Sequence, residues 1–152
     1  MTVIAKNKKP GVDIARYDMF IGGNSCPSRG GRYFEVINPA TEEVIAEVAE
    51  GVPDDIDCAV KSAWGGFASL ARISARDRGR LLYDLARALE RDFDGFAELE
   101  CDNQGKPIRH VRGFDIPNAI ETLEYFAGDA TKVRGSTVAT EPAMFNYVRR
   151  EP

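Results

Sequence analysis

Three cysteines and one histidine are among the side chains in this sequence that could act as nucleophiles, bases or metal ligands. Cys26, Cys58 or Cys101 could supply a thiolate, and His110 could act as a base or a ligand. The thiols show neither C-x-x-C spacing nor a histidine-rich set, so the sequence predicts no metal site and no disulfide framework. The pattern favours structural roles for all four residues and reduced, intracellular thiols.

The segment Gly105-Lys106-Pro107 could suggest a phosphate-binding loop. A P-loop needs a longer glycine frame and a serine or threonine after the lysine, and Pro107 stands there instead. The glycine pairs at 22–23, 30–31 and 65–66 lie in turns or near a helix end and form no G-x-G-x-x-G pattern. The sequence therefore predicts no nucleotide-binding fingerprint.

Composition narrows the class of protein. The 152 residues are 43% hydrophobic, which allows one folded core, and the formal charge of -4 gives no basic footprint for nucleic acid. No signal-peptide core follows the N-terminal lysines, and no stretch approaches the ~20 apolar residues of a membrane span. We expect a soluble, cytoplasmic protein with no nucleic-acid or membrane partner.

The elements that must position these residues begin with short strands. Residues 1–17 read as a flexible N-terminal arm, followed by a strand at Met19–Ile21 and a turn-rich link at 24–31. Residues of high β-propensity then predict strands at Tyr33–Ile37 and Val44–Ala49. The turn between them starts at Asn38, because the following proline forces extended geometry and the Asn38 side chain can bond nearby amides.

Apolar periodicity predicts four helices in the rest of the chain. The first runs from Pro53 to about residue 67, the second starts at the capping residue Ser74, the third ends at Gly105 and the fourth spans about residues 114–132. A turn over residues 136–142 and a strand over 144–148 complete the chain. The expected buried stripe around the second helix comprises Leu82, Leu85, Leu89, Phe93 and Phe96.

Five motifs follow one another in the order that is typical of one protein family. They are Met19-Phe20-Ile21-Gly22-Gly23, Val36-Ile37-Asn38-Pro39-Ala40-Thr41, Gly105-Lys106-Pro107, Tyr125-Phe126-Ala127-Gly128 and Arg150-Glu151-Pro152. From about residue 19 to 152 the chain resembles the N-terminal segment of the NAD(P)-dependent aldehyde dehydrogenases.

The resemblance implies an α/β fold: the N-terminal portion of the aldehyde dehydrogenase fold, with short antiparallel strands and about four helices but without the parallel Rossmann-like core. It further implies strands of a hairpin and oligomerisation region at 18–50 and helices of the cofactor-binding domain at 51–135. A linker and a truncated oligomerisation strand would follow at 136–152.

The resemblance also implies site residues. Phe114, Asp115 and Asn118 are similar in position to residues at the mouth of the aldehyde tunnel. Ile37 and Asn103 are similar in position to residues near a monovalent cation, although Asn103 replaces the acidic residue of some members. No catalytic and no cofactor-binding residue is carried over, because the family's cysteine nucleophile, glutamate base and cofactor glycines match positions beyond residue 152.

These expectations lead to three hypotheses. The first is an N-terminal fragment or split subunit of an enzyme that oxidises an aldehyde to a carboxylic acid through a cysteine thiohemiacetal, with NAD or NADP as hydride acceptor. This chain alone would neither bind the cofactor nor catalyse, its partner would be the remaining polypeptide or a complementing chain, and the intact enzyme would be a homo-oligomer. The alternative is a non-catalytic module that assembles with an intact aldehyde dehydrogenase. A self-contained domain with an unrelated activity ranks last.

Overall fold

The computed structural model describes residues 6–9 and 12–151. The chain divides into two units, Met1–Arg72 with Asp92–Pro117, and Ile73–Arg91 with Asn118–Pro152. The strands are β1 (Lys6–Lys9), β2 (Val12–Tyr17), β3 (Met19–Ile21), β4 (Asn24–Cys26), β5 (Tyr33–Ile37), β6 (Val44–Ala49), β7 (Ser136–Val138) and β8 (Asn146–Val148). The helices are α1 (Pro53–Leu70), α2 (Ala75–Arg91), α3 (Phe93–Gln104), α4 (Ile108–His110) and α5 (Ile116–Asp129), with a π-helical stretch at Val111–Asp115.

The main sheet of the first unit has the order β1-β2-β6-β5. Strands β5 and β6 are antiparallel, with Tyr33 opposite Ala49 and an irregularity between Val36 and Ile37. Both strands were predicted from β-propensity, and their bounds are confirmed. β3 and β4 form a separate antiparallel pair.

The predicted flexible arm is wrong over residues 6–9 and 12–17. These residues form β1 and β2, an antiparallel pair, and β2 pairs in parallel with β6 through Ala15 opposite Ala46. Parallel pairing joins segments far apart in sequence and leaves no turn signal beside the strand, so the local pattern did not reveal it. Residues 1–5, 10 and 11 of the predicted arm lie outside the described residues. The links predicted at 24–31 and 136–142 also contain short strands, β4 and β7.

Three helix termini follow the predicted signals, whereas α1 ends at Leu70 rather than near residue 67. Pro53 occupies the start of α1, and Ser74 caps α2 by accepting a 3.1 Å hydrogen bond from the Asp77 amide. Gly105 closes α3 in the left-handed region, with φ of 67°. The fourth helix begins earlier than predicted, because α4 and the π-helical stretch precede α5. Within the described residues no helix is both long enough and apolar enough to cross a membrane.

Small side chains dominate the core. Ala97 and Val111 are fully buried in the first unit, and Ala86 is fully buried in the second. The predicted buried stripe is wrong at two positions, since Leu85 is 54% exposed and Phe96 is 44% exposed. Periodicity identifies the apolar face of a helix, but burial also needs a neighbouring element to cover that face.

Two helices of the second unit approach closely at Gly79. A Cβ atom at this position would lie 2.6 Å from the carbonyl oxygen of Ala127 in α5, so only glycine allows the spacing. Arg87 of α2 faces Glu124 of α5 at 4.0 Å. The antiparallel pair β7–β8 completes this unit.

Gly105→Ala tests the left-handed end of α3. We expect it to lower the free energy of unfolding by about 1–3 kcal/mol, because a Cβ adds left-handed strain and would lie 2.8 Å from Cγ of Pro39. The matched control is Gly66→Ala within α1, where a Cβ meets nothing within 4 Å and should stabilise by about 0.5–1 kcal/mol. Urea unfolding followed by circular dichroism measures both, and equal effects would contradict the assignment.

Candidate functional site

The turn between β5 and β6 is organised by Asn38. Its amide donates to the carbonyl of Glu43 at 2.9 Å, and its carbonyl accepts from the Glu42 amide at 2.8 Å. The Asn38 side-chain oxygen accepts from the Ala40 amide at 2.9 Å. The side chain is buried, as its role inside the turn requires. Its predicted bonding to nearby backbone amides is confirmed.

The end of α3 packs against this turn. The Asn38 side-chain amide donates to Asp102 at 3.5 Å, and Gly105 lies directly under Pro39. The two positions expected near a cation flank this junction in sequence: Ile37 is 52% exposed and ends β5, and Asn103 is exposed in the last turn of α3. The junction therefore brings together the segments that contain Ile37 and Asn103. Residue 103 offers an amide rather than a carboxylate.

A pocket of about 330 Å³ opens beside α3 in the first unit. Tyr17, Val48, Phe96 and Leu99 provide much of its apolar lining, and Glu100 and Asn103 contribute a carboxylate and an amide. Ligand pockets commonly combine mostly apolar walls with a few polar groups of this kind. Over residues 6–9 and 12–151, no three acidic, cysteine or histidine side chains cluster as metal ligands do.

Two of the tunnel-mouth candidates lie in the π-helical stretch. Phe114 is 66% exposed. Asp115 is half-buried and accepts a 2.9 Å hydrogen bond from Nζ of Lys106, which raises the pKa of that ammonium group. The third candidate, Asn118, is exposed on α5 in the second unit.

The cysteines and the histidine have ordinary surroundings. Cys58 accepts a hydrogen bond from the Arg29 guanidinium at 3.0 Å, and Cys101 donates to the carbonyl of Lys106 at 2.9 Å. Cys26 lies half-buried on β4, and His110 is exposed on α4. Neither Cys58 nor Cys101 has a hydrogen bond to a histidine or carboxylate within the described chain, so neither has a general base beside it.

A buried carboxylate at the start of α1 is the polar centre that the sequence reading missed. Asp55 accepts from the Val52 amide at 3.0 Å, from the Ser28 hydroxyl at 3.0 Å and from the Arg29 amide at 3.3 Å. The Val52 amide above all, with Ser28 and Arg29, holds the pKa of Asp55 below its ordinary value, although burial opposes this. The sequence did show an aspartate at the start of a predicted helix. Nothing in the sequence marked residues 28 and 29 as its hydrogen-bond partners.

The Asp55 carboxylate also affects whether the start of α1 could bind a phosphate. Dinucleotide sites place the pyrophosphate against free amides at a helix N-terminus that follows a strand. In this chain β6 leads into α1, but Asp55 already occupies the amide of Val52, and its negative charge repels phosphate. The residues present at this junction do not fit a dinucleotide.

Residues 26–152 match the model of the aldehyde dehydrogenase family. The chain is 45% identical over 137 residues to aldehyde dehydrogenase 1A1 of Mesocricetus auratus, a match covering 88% of this chain and 27% of that protein. It is 42% identical over 142 residues to aldehyde dehydrogenase, cytosolic 1 of Mus musculus, covering 91% of this chain and 28% of that protein.

Solved structures of aldehyde dehydrogenases also match this chain over part of their length. The NAD+ complex of aldehyde dehydrogenase from Bacillus cereus matches with a TM-score of 0.85 at 39% identity and covers 90% of this chain and 28% of that chain. PnpE from Pseudomonas sp. WBC-3 matches with a TM-score of 0.84 at 34% identity, over 90% and 28% of the respective chains. The chain thus spans less than a third of the length of these relatives.

Asp55→Asn tests the buried carboxylate through its pH dependence. Because the folded pKa lies below the ordinary value of 3.8, the charged form stabilises the fold above that pH, and this gain disappears as pH falls through the lowered pKa. We expect the substitution to lower Tm by about 3 °C at pH 7 and by ~0 °C near pH 2.

The control is Asp57→Asn, at an exposed aspartate in the same helix. Thermal unfolding of the two variants and the unaltered chain between pH 2 and 7 measures the effect. A pH-independent difference between Asp55→Asn and the unaltered chain would contradict the role of the charge.

Proposed function

The chain belongs to the aldehyde dehydrogenase family, and from this premise we propose that it supplies the N-terminal portion of an NAD(P)-dependent aldehyde dehydrogenase and is not catalytically competent alone. Its mixed α/β architecture matches the N-terminal part of the aldehyde dehydrogenase fold. The observation that carries the proposal is the coverage: the matches include about nine-tenths of this chain and only 27–28% of the relatives.

Exposed apolar surface supports a covering partner. One face of α1 carries apolar side chains at helical spacing, and they are exposed: Ile56, Val60, Trp64 and Phe67. Large contiguous apolar surface usually marks a contact with other protein. The proposed partner is the remaining aldehyde dehydrogenase polypeptide or a complementing chain, located in the cytoplasm like the relative named as cytosolic.

The proposed reaction is the oxidation of an aldehyde to a carboxylic acid. NAD or NADP, bound by the partner portion, supplies the hydride acceptor. Within this chain Phe114, Asp115 and Asn118 are proposed to shape the mouth of the aldehyde tunnel, where an exposed ring excludes water and the polar groups orient the entering substrate. Ile37 and Asn103 are proposed to stand beside a monovalent cation, which the amide of Asn103 would meet with a neutral oxygen.

An assembly role is the alternative function. Tyr147 on β8 is exposed, as are Met144 and Phe145 immediately before this strand, and Phe145 is 80% exposed. Edge strands with apolar side chains can add to a partner sheet. In the proposed enzyme this region makes homo-oligomer contacts; in the alternative it attaches the chain to an intact aldehyde dehydrogenase without taking part in catalysis.

An activity assay tests the proposed incompetence. The purified 152-residue chain, supplied with NAD or NADP and a series of aliphatic and aromatic aldehydes, should form reduced cofactor no faster than buffer, because the acyl-transfer chemistry requires a nucleophile, a base and oxyanion donors together. Absorbance at 340 nm measures the rate. Aldehyde-dependent turnover that a Cys58→Ala or Cys101→Ala variant abolishes would overturn the proposal.

Affinity capture from the source cell separates the two functions. An antibody against the chain should recover its peptides either within a longer aldehyde dehydrogenase polypeptide or bound to one that supplies the missing portion. Recovery of a complete, separately encoded aldehyde dehydrogenase would favour the assembly role. A 16.7 kDa monomer without any partner would argue against both.

A further inference from the structure

Two buried apolar residues anchor the π-helical stretch Val111–Asp115 in the first unit. Val111 is fully buried, and Ile116 at its end is 7% exposed. The Ile116 amide donates to the carbonyl of Val111, which is the five-residue bond that defines a π-turn. In an α-helix residues five apart are rotated by about 140°, so the π-turn is what lets both apolar side chains face inward.

Ion pairs hold the stretch from two directions. Arg112 contacts Asp94 at 3.0 Å and Glu98 at 3.8 Å, both on α3. Lys106, the residue after the left-handed Gly105, reaches Asp115 at 2.9 Å. Lys106 is therefore fixed at its backbone by the helix end and at its ammonium group by Asp115.

Phe114 stands between these anchors with little support of its own. Its ring is exposed, and the neighbouring Gly113 has no atom within 4 Å of the position where a Cβ would stand. The ring direction therefore depends on the backbone of the π-turn, and the polar side chain that holds the C-terminal end of that turn is Asp115.

We propose that the Lys106–Asp115 ion pair is a positioning pair, which locks the π-turn and thereby fixes the direction in which Phe114 is presented. The functional meaning of this inference rests on the proposed position of Phe114 at the tunnel mouth. There the ion pair would determine which apolar aldehydes can enter. Lys106 is partly exposed, and ion pairs of such exposure change the ratio of two conformers by about two- to fivefold.

Fluorescence of a ring placed at residue 114 tests the lock on the full chain. The sequence has one tryptophan, Trp64, so Phe114→Trp in a Trp64→Phe background gives a single reporter. Adding Lys106→Met should lower the anisotropy of the reporter and raise its quenching by acrylamide by about twofold. Adding Lys106→Arg should keep both near the parent values, because arginine retains the charge. The matched control is Arg109→Met, an exposed cation on α4.

A second measurement does not use the reporter. Amide hydrogen exchange at Ile116 reports on the π-turn bond itself, and Lys106→Met should speed it about two- to fivefold while Arg109→Met leaves it unchanged. No effect of Lys106→Met in either measurement, or equal effects of the two variants, would overturn the positioning role. Neither readout needs catalysis, so an active lone chain would refute the proposed function and leave this result standing.

Discussion

The contact between Gly105, in the left-handed region, and Pro39 determines much of the packing in the first unit. Gly105 can end α3 beneath Pro39 only because it lacks a Cβ, and this contact brings the β5–β6 turn onto the helix end. The buried Asn38 side chain can then bond to Asp102 as well as to its own turn. The next residue, Lys106, leaves this junction in the direction of the π-turn. One steric constraint thus connects the sheet, the helix and the candidate site.

The buried apolar side chains are mostly small, so each unit has a small apolar core. The buried apolar residues are largely alanines, whereas Trp64, Phe145 and Tyr125 remain exposed. Each alanine contributes little apolar area, so polar contacts such as those of Asp55 carry an unusual share of the local order.

Local chemistry made part of this arrangement predictable. The proline after Asn38 and the left-handed preference of Gly105 act within a few residues, and the turn and the helix end were found where they were expected. The parallel partner of β6 and the Ser28 and Arg29 partners of Asp55 lie more than 20 residues away, and no local pattern encodes such pairings. The π-turn was missed because apolar residues five apart, Val111 and Ile116, fit neither the helical nor the strand period.

The π-turn also has a consequence for how chain length can vary. Compared with an α-helix, a π-turn contains one additional residue between two buried anchors, here Val111 and Ile116. Removing one residue between them would leave anchors four apart, which an α-helix places on the same face. A single-residue deletion is therefore accommodated here without disturbing the flanking helices, whereas the same deletion in α2 would rotate every following side chain by about 100°. Homologous chains should differ in length at this point more readily than elsewhere in their helices.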